Sequence, residues 1–148
     1  MILLASAAAL LLQQTTPEGF YTPSQADRGK ALYKRICAAC HGAEPARPDP
    51  TVVVAVAGPG FASSWPQTAT LEDLAFEVRS MPPGGADPLT GEQSILILAY
   101  LLHENGYPSG KVELRADSAL LRTKLHASGD GAKKPDLPAR KPPPASKK

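Results

Sequence analysis

The chain has little of what disulfide frameworks, aromatic cores and strongly charged surfaces require. Its 148 residues include only two cysteines, three histidines and two methionines, and aromatic residues make up 5% of the sequence. So few aromatic residues, together with 16 prolines, indicate a packed core of roughly 80 to 100 residues, to which a bound cofactor usually adds apolar surface. The formal net charge is only +2, and we expect no nucleic-acid partner.

The apolar run at the N-terminus is shorter than a comfortable membrane span. Residues 1–12 carry no charge and match the apolar region of a secretory signal. Two features of such a signal are missing, because no Lys or Arg precedes the run and no clean small-x-small cleavage site follows it. We interpret residues 1–13 as a signal peptide or as an apolar segment retained as an anchor, and residues 14–21 as a linker.

Both cysteines lie in one short motif. Residues 37–41 read Cys-Ala-Ala-Cys-His, which is the attachment pattern of c-type haem. Because residues three and four apart share a face of a helical turn, Cys37, Cys40 and His41 can all face one flat ligand. Each thiol can add to a porphyrin vinyl group, and His41 is then placed to give an imidazole nitrogen to the iron. We therefore predict one covalently bound haem c, with His41 as an axial ligand.

Three other roles for these cysteines are weaker alternatives. A disulfide between Cys37 and Cys40 would close only a short loop and add little stability. A redox-active dithiol of the thioredoxin kind is disfavoured, because no βαβ pattern surrounds the motif. A zinc site would need His103 and His126 as further ligands, and a second close pair of ligands is missing.

Helical periodicity on both sides of the motif predicts an all-α fold of about four helices and connecting loops. The predicted helices run from Ser24 to about Ala39, from Thr70 to about Ser80, from Thr90 to about Asn105, and from Asp117 or Ser118 through Leu125. Gly29 lies inside the first of them at a cost of about 1 kcal/mol relative to alanine, which suggests close contact with another helix. Residues 52–57 are interpreted as a loop or single turn, followed by a turn at residues 58–60.

A second iron ligand has to come from outside the motif. The candidates are the thioether of Met81 and the imidazoles of His103 and His126. His103 is interpreted as a solvated residue at a helix end, and His126 lies just before a segment that cannot bury a core. Met81 precedes Pro82, which favours an extended conformation in a stiff loop that can close over the other face of the ring. We predict that Met81 binds the iron; the alternative is an ordinary methionine that fills a gap in the core.

Histidine and methionine ligands together have a functional consequence. This pair favours ferrous iron, raises the reduction potential and leaves no open position for oxygen, peroxide or a substrate. We therefore predict an electron carrier and not an enzyme. The other ring N–H of His41 is expected to donate to a backbone carbonyl.

From about Thr22 to Leu114 the sequence resembles class I cytochromes c. The resemblance is carried by Gly29 and Tyr33, by Cys37-Ala38-Ala39-Cys40-His41-Gly42, by Met81-Pro82, and by Ile97 and Tyr100. It implies helices and loops wrapped around one haem, with the first and last helices crossing and the glycine against the aromatic residue. More narrowly, segments such as Ala-Gly-Pro-Gly-Phe and Met-Pro-Pro-Gly are similar to small periplasmic cytochromes and to cytochrome domains associated with quinoprotein dehydrogenases.

The resemblance also implies residues that bind the haem outside the motif. It places Gly58, Pro59 and Trp65 beside the cofactor, with Trp65 near a haem propionate; the alternative for Trp65 is a plain core aromatic residue. One stretch departs from the family, which has Pro-x-Leu-x-Gly where this chain reads Val-Ala-Val-Ala-Gly at residues 54–58. A valine carbonyl would then take the place of the proline carbonyl that accepts the histidine N–H.

The expected role is that of a monomeric carrier between redox proteins. It would take an electron from a periplasmic dehydrogenase and pass it to an oxidase or another cytochrome. We expect export to the periplasm, since haem attachment to this motif occurs in exported, oxidising compartments. Other possibilities are a subunit or docking module of a dehydrogenase complex, and a haem enzyme or sensor with an open iron position.

The predicted cytochrome domain covers residues 22–127 and is followed by a basic tail. Residues 128–148 carry six Lys/Arg against two Asp/Glu, a net charge of +4, and are rich in proline. We predict that this composition leaves the tail disordered, since it cannot bury a core. The tail is interpreted either as an attachment to an acidic partner or to an anionic membrane surface, or as a solvated extension.

Overall fold

The computed structural model describes residues 19–45, 55–58, 61, 64–66, 68–84 and 88–125. The helices in this part of the chain are α1 (Pro23–Ile36), α2 (Ala38–His41), α3 (Leu71–Ser80), α4 (Gly91–Glu104) and a 3-10 helix (Ala119–Arg122). Over the same residues, extended pairing is limited to two isolated β-bridges. The predicted all-α architecture is therefore confirmed.

The predicted helix starts are confirmed by their capping hydroxyls. The Thr22 hydroxyl accepts the Gln25 backbone N–H at 3.2 Å. Thr70 and Thr90 each begin a helix with a reciprocal capping box, in which the threonine hydroxyl and the side chain three residues later each accept the other's backbone N–H. Four backbone N–H groups at two helix starts thus find partners that the helices themselves cannot supply.

Two helix ends differ from the prediction. The first helix stops at Ile36 and resumes at Ala38, with a turn at Cys37 between α1 and α2. The last helix is a short 3-10 helix capped by Ser118, and it ends before Leu125. Its continuation is prevented because the backbone beyond it bonds to the start of α3: the Leu71 N–H donates to the Thr123 carbonyl and the Leu125 N–H to the Ala69 carbonyl, both at 2.9 Å.

Helices α1 and α4 cross at Gly29, as the sequence predicts. A Cβ atom on Gly29 would lie 1.9 Å from the Leu96 carbonyl oxygen and 3.0 Å from the Tyr100 Cβ. Beside the crossing, the Tyr33 and Tyr100 rings pack edge to face with their centroids 5.2 Å apart. The two backbones can approach this closely only because the crossing point has no side chain.

The core begins earlier than the predicted domain start at residue 22. Phe20 and Tyr21 are buried, and the Tyr21 hydroxyl donates to the Tyr107 carbonyl at 2.8 Å. The buried side chain of Gln25 joins α1 to the segment after α4, because its amide donates to the Leu114 carbonyl at 2.7 Å and accepts the Leu114 N–H at 2.9 Å. These contacts tie the segment before α1 to the residues after α4, and α1 itself to Leu114.

None of the helices formed by the described residues is long and apolar enough to cross a membrane. The predicted signal or anchor segment and most of the predicted linker lie outside these residues, as does the basic tail. Their assignment remains a prediction.

Candidate haem site

A cavity of about 550 Å³ is lined by side chains from all four α-helices and from the loops between them. Its volume is within the range of small-molecule and cofactor sites, roughly 300 to 1,000 Å³. Most of the lining is apolar, and Ile36, Val56, Leu74, Ile97 and Leu101 contribute to it. An apolar cavity of this size suits a flat aromatic macrocycle.

The haem-attachment motif forms one part of the cavity wall. Cys37, Cys40 and His41 all line it, as predicted from their spacing on a helical turn. The turn is closed by backbone bonds, with the N–H groups of Cys40 and His41 donating to the Cys37 carbonyl at 3.1 and 3.0 Å. The buried Tyr33 holds the end of the turn, because its hydroxyl contacts the carbonyl oxygens of His41 at 3.2 Å and Gly42 at 3.0 Å.

The two cysteines are poorly suited to the alternative roles. Both are free thiols, and burial, followed by the neighbouring Cys40, raises the pKa of Cys37 to about 11. Redox-active dithiols instead have a cysteine with a lowered pKa, because the thiolate is the reactive form. No group of three or more His, Cys, Asp or Glu side chains that could hold a metal ion occurs within the described ranges. The zinc alternative therefore finds no support there.

Met81 reaches the same cavity from a different element. It follows the last residue of α3 and has an extended backbone, φ −91° and ψ 150°, as expected for a residue before proline. Met81, Pro82 and Pro83 all line the cavity. The structure thus brings Met81 together with Cys37, Cys40 and His41, although Met81 lies far from the motif in sequence.

The other predicted site residues have different positions. Trp65 lines the cavity and packs against Phe61, with ring centroids 6.2 Å apart. Gly58 is not part of the cavity wall; it has a positive φ of 96°, and its N–H donates to the Asn105 side-chain oxygen at 3.2 Å. Pro59 lies outside the described residues.

Of the two histidines considered as iron ligands, His103 lies away from the cavity. It is half-buried, and its Nδ1 is 3.2 Å from the Tyr21 hydroxyl. His103 is thus less exposed than the sequence suggests for a solvated residue at a helix end, because the segment before α1 packs over this end of α4. His126 lies outside the described residues.

Two residues at this site were not identified from the sequence. Asn105 caps α4, and its side-chain nitrogen donates to the carbonyls of Val56 at 3.2 Å and Leu101 at 2.8 Å, which holds the segment that carries Val56 against the cavity. Glu77 is the one acidic residue among the described cavity-lining residues. The Asn-Gly pair at the helix end was a usable signal for Asn105. Helical periodicity, in contrast, marks Glu77 only as a surface position.

Residues 24–101 match the family model described as cytochrome c oxidase, cbb3-type, subunit III. The matched range is more than half of the chain and contains both the attachment motif and Met81. The chain belongs to this family of c-type cytochromes. A search of curated proteins and a search of solved structures gave no match.

Membership of this family agrees with the geometry of the cavity. A c-type cytochrome domain implies haem c, and the cytochrome's cavity presents two thiols, an imidazole and a thioether on otherwise mainly apolar walls. These groups fit the cofactor, since sulfur and imidazole are common haem attachment and ligand groups and the macrocycle is apolar. The prediction of a c-type cytochrome is thus confirmed, while the finer resemblances, to class I cytochromes c and to cytochromes associated with quinoprotein dehydrogenases, remain predictions.

Proposed function

We propose that this cytochrome is a periplasmic carrier of single electrons with one low-spin haem c. Cys37 and Cys40 would attach the haem covalently, with His41 and Met81 as the two axial ligands of its iron. The observation that carries the proposal is the meeting of all four side chains at one cavity. Family membership supports haem-based electron transfer in general terms.

The residues around the cavity favour electron transfer over catalysis. When bound, the haem iron supplies a one-electron ferric–ferrous couple. With His41 and Met81 both bound to the iron, no open site would remain for oxygen or peroxide. The mainly apolar lining excludes water and favours the less charged, reduced state.

The partners proposed for this carrier follow from its compartment. Attachment of haem to a Cys-x-x-Cys-His motif takes place in exported, oxidising compartments, which supports a periplasmic location. A dehydrogenase there, such as a quinoprotein, would be the donor, and an oxidase or another cytochrome the acceptor. We propose that the protein acts as a monomer.

A second candidate is a cytochrome subunit of a respiratory complex. The description of the matching family model names a subunit of a cytochrome c oxidase, which favours this candidate over a haem enzyme or a sensor. The two candidates share the haem site and differ in whether the protein works alone. The native mass and any co-purifying subunits, measured in membrane and soluble fractions of the source cells, separate them.

The test of the haem site is to produce the full chain in an export-competent host that has the haem-attachment machinery. We expect a red protein with covalently bound haem, detected by mass, a low-spin reduced spectrum and a methionine-to-iron charge-transfer band in the oxidised form. Met81→Ala should abolish that band and convert the haem to a form that binds carbon monoxide rapidly. His103→Gln is the matched control and should leave the spectrum unchanged. A colourless wild-type protein, or a Met81→Ala spectrum identical to wild type, would contradict the proposal.

A further inference from the structure

One side of α3 packs into the core, and the other side has no covering element among the described residues. Leu71, Leu74 and Val78 form the buried side. The exposed side, called here the α3 outer face, consists of Glu72, Asp73, Phe76 and Glu77. Glu72 and Phe76 are four residues apart, as are Asp73 and Glu77, so each pair lies on one side of the helix and the two pairs are adjacent on its exposed surface.

The α3 outer face combines an exposed aromatic ring with negative charge. Phe76 is 58% exposed, and the Arg79 guanidinium lies over its ring, 5.8 Å from the ring centroid. Glu72 and Glu77 form no salt bridge within the described residues. The face carries three carboxylates and has one arginine nearby, so its net charge is negative. A partner for it should therefore be basic and able to pack on an aromatic ring.

The described chain ends beside this face. Residues 123–125 are joined to the start of α3 by the Leu71–Thr123 and Leu125–Ala69 backbone hydrogen bonds, and Lys124 forms a β-bridge with Thr70. Twenty-three residues of the printed sequence, 126–148, follow Leu125. Because this pairing is antiparallel, the C-terminal segment begins beside Ala69, two residues before the first residue of α3 and three before Glu72.

The charge and length of that segment match the face. Residues 128–148 have six Lys/Arg and two Asp/Glu, a net charge of +4, and the first lysines are Lys133 and Lys134. A flexible stretch of eight residues spans about 16 Å, which is close to the length of a ten-residue helix, about 15 Å. The lysines can thus reach Glu77 at the far end of α3 without stretching the chain.

The composition of the segment also suits Phe76. Prolines follow the lysines at positions 135, 138 and 142–144. Proline-rich segments bind aromatic surfaces at a low entropic cost, because their extended conformation is largely preformed. An exposed phenylalanine between carboxylates therefore offers both of the interactions that such a segment makes.

We propose that the basic C-terminal segment, residues 126–148, docks on the α3 outer face of its own molecule. Each exposed ion pair contributes little, but the tether gives the segment an effective concentration in the millimolar range. Because Glu77 also lines the haem cavity, the docked segment lies at the rim of that cavity. The contact is electrostatic and weakens as salt screens the charges.

Zero-length carbodiimide cross-linking of the full-length holoprotein, followed by digestion and mass spectrometry, tests this contact. At an ionic strength of about 0.01 M we expect cross-links from Lys133, Lys134 or Lys141 to Glu72 or Glu77. At this low ionic strength, the yield of cross-links to Glu72 or Glu77 should be at least fivefold higher than the yield of cross-links to the exposed Glu92 and Glu113. At about 1 M salt, it should fall to the yield at Glu92 and Glu113. Equal yields at all four glutamates would overturn the proposal.

An isotope mixture identifies the occupant of the face. In an equal mixture of ¹⁵N-labelled and unlabelled protein, intramolecular docking gives cross-linked peptide pairs with both members labelled or both unlabelled. Pairs with one labelled member would show that a second copy occupies the face and would overturn the proposal. A failure here leaves the proposed electron-carrier function intact, since the cross-links report only the position of the segment.

Matched variants assign the contact to charge. Replacing Lys133 and Lys134 with glutamine should remove most of the cross-links that Lys141, the next lysine along the segment, forms with α3, because the segment then docks less. Glu92→Gln with Glu113→Gln is the control pair and should not change them. Circular dichroism and the visible spectrum confirm that each variant is folded. Unchanged Lys141 cross-links in the double lysine variant would contradict the charge-based contact.

Discussion

The α1–α4 crossing and the α3 side of the molecule hold different parts of the haem site by different means. Helix α4 buries eight of its fourteen residues and meets α1 backbone to backbone at Gly29, whereas α3 buries three of its ten. The crossing therefore fixes the attachment motif that follows α1 through close packing. The element that carries Met81 relies more on caps and on backbone hydrogen bonds to residues 123–125. We expect substitutions at the crossing to cost more stability than substitutions around α3.

The largest effect is expected from Gly29→Ala. The added methyl group would collide with the Leu96 carbonyl, which belongs to the α4 backbone and cannot rotate away. Overpacking of this kind should lower the free energy of unfolding by about 3 kcal/mol or more, measured by urea denaturation. Gly91→Ala is the matched control, because a Cβ there meets nothing within 4 Å, and it should change stability by less than about 1 kcal/mol. Equal losses in the two variants would contradict the close crossing.

A smaller loss is expected when Gln25 becomes methionine, which has a similar volume but no amide. The change removes both hydrogen bonds to Leu114 and leaves a buried N–H and carbonyl unpaired. We expect a loss of about 2 to 3 kcal/mol in the free energy of unfolding. Ser24→Ala, at an exposed position of the same helical turn, should stay within about 0.5 kcal/mol. A Gln25→Met protein as stable as Ser24→Ala would show that this link between α1 and the segment after α4 is dispensable.

Asn105→Ala tests how residues 55–58 are held, two of which, Ala55 and Val56, line the cavity. The substitution removes the hydrogen bonds to Gly58 and Val56 and should cost about 1 to 2 kcal/mol. The Gly58 amide should also exchange its hydrogen faster, because the hydrogen bond to the Asn105 side chain no longer protects it. Asn105→Asp keeps the acceptor for Gly58 but loses the donor to Val56, so it should protect the Gly58 amide better than alanine does. Equal exchange in both variants would argue against this contact.

The smallest effect concerns the caps and depends on pH. The Thr70 backbone N–H and then its hydroxyl lower the pKa of Asp73 by bonding to the carboxylate. A carboxylate whose pKa falls on folding stabilises the protein fully above its unfolded value, about 3.9, and loses that contribution as the pH drops through the lowered folded value. The stability difference between wild type and Asp73→Asn should therefore be largest near neutral pH and shrink in acid.

The other capping box provides the control for this pH dependence. At the start of α4 the same role is taken by Gln93, which has no charge to lose. The loss of stability in Gln93→Ala should therefore be the same across the acidic range, as followed by urea midpoints at a series of pH values. A difference for Asp73→Asn that grows as the pH falls would contradict the assigned role of Thr70.

Several parts of the site could be predicted because they depend on neighbours in sequence. The spacing of Cys37, Cys40 and His41 places them on one turn whatever surrounds them, and the threonine caps use groups only three residues away. The extended backbone of Met81 follows from the proline after it. Gly29 also gave a usable signal, since a glycine inside a helix is costly unless another element approaches closely.

Other parts depended on contacts between residues far apart in the chain. The 3-10 helix ends early because residues 123–125 form backbone hydrogen bonds with the start of α3. The core begins at Phe20 because the Tyr21 hydroxyl forms hydrogen bonds with Tyr107 and His103. Gln25 looks like an ordinary polar helix residue, and Asn105 like a simple helix cap, until their partners, 89 and 47 residues away, are known.

By itself, then, the sequence determined the helices, their starts and the chemistry of the attachment motif, since each of these is settled within one or two helical turns. Only the tertiary structure decided that Met81 and the motif line the same cavity, and that Asn105 holds Val56 in its wall. The physical reason is range: backbone preferences and caps act between neighbours, whereas a cavity exists only where distant segments pack together.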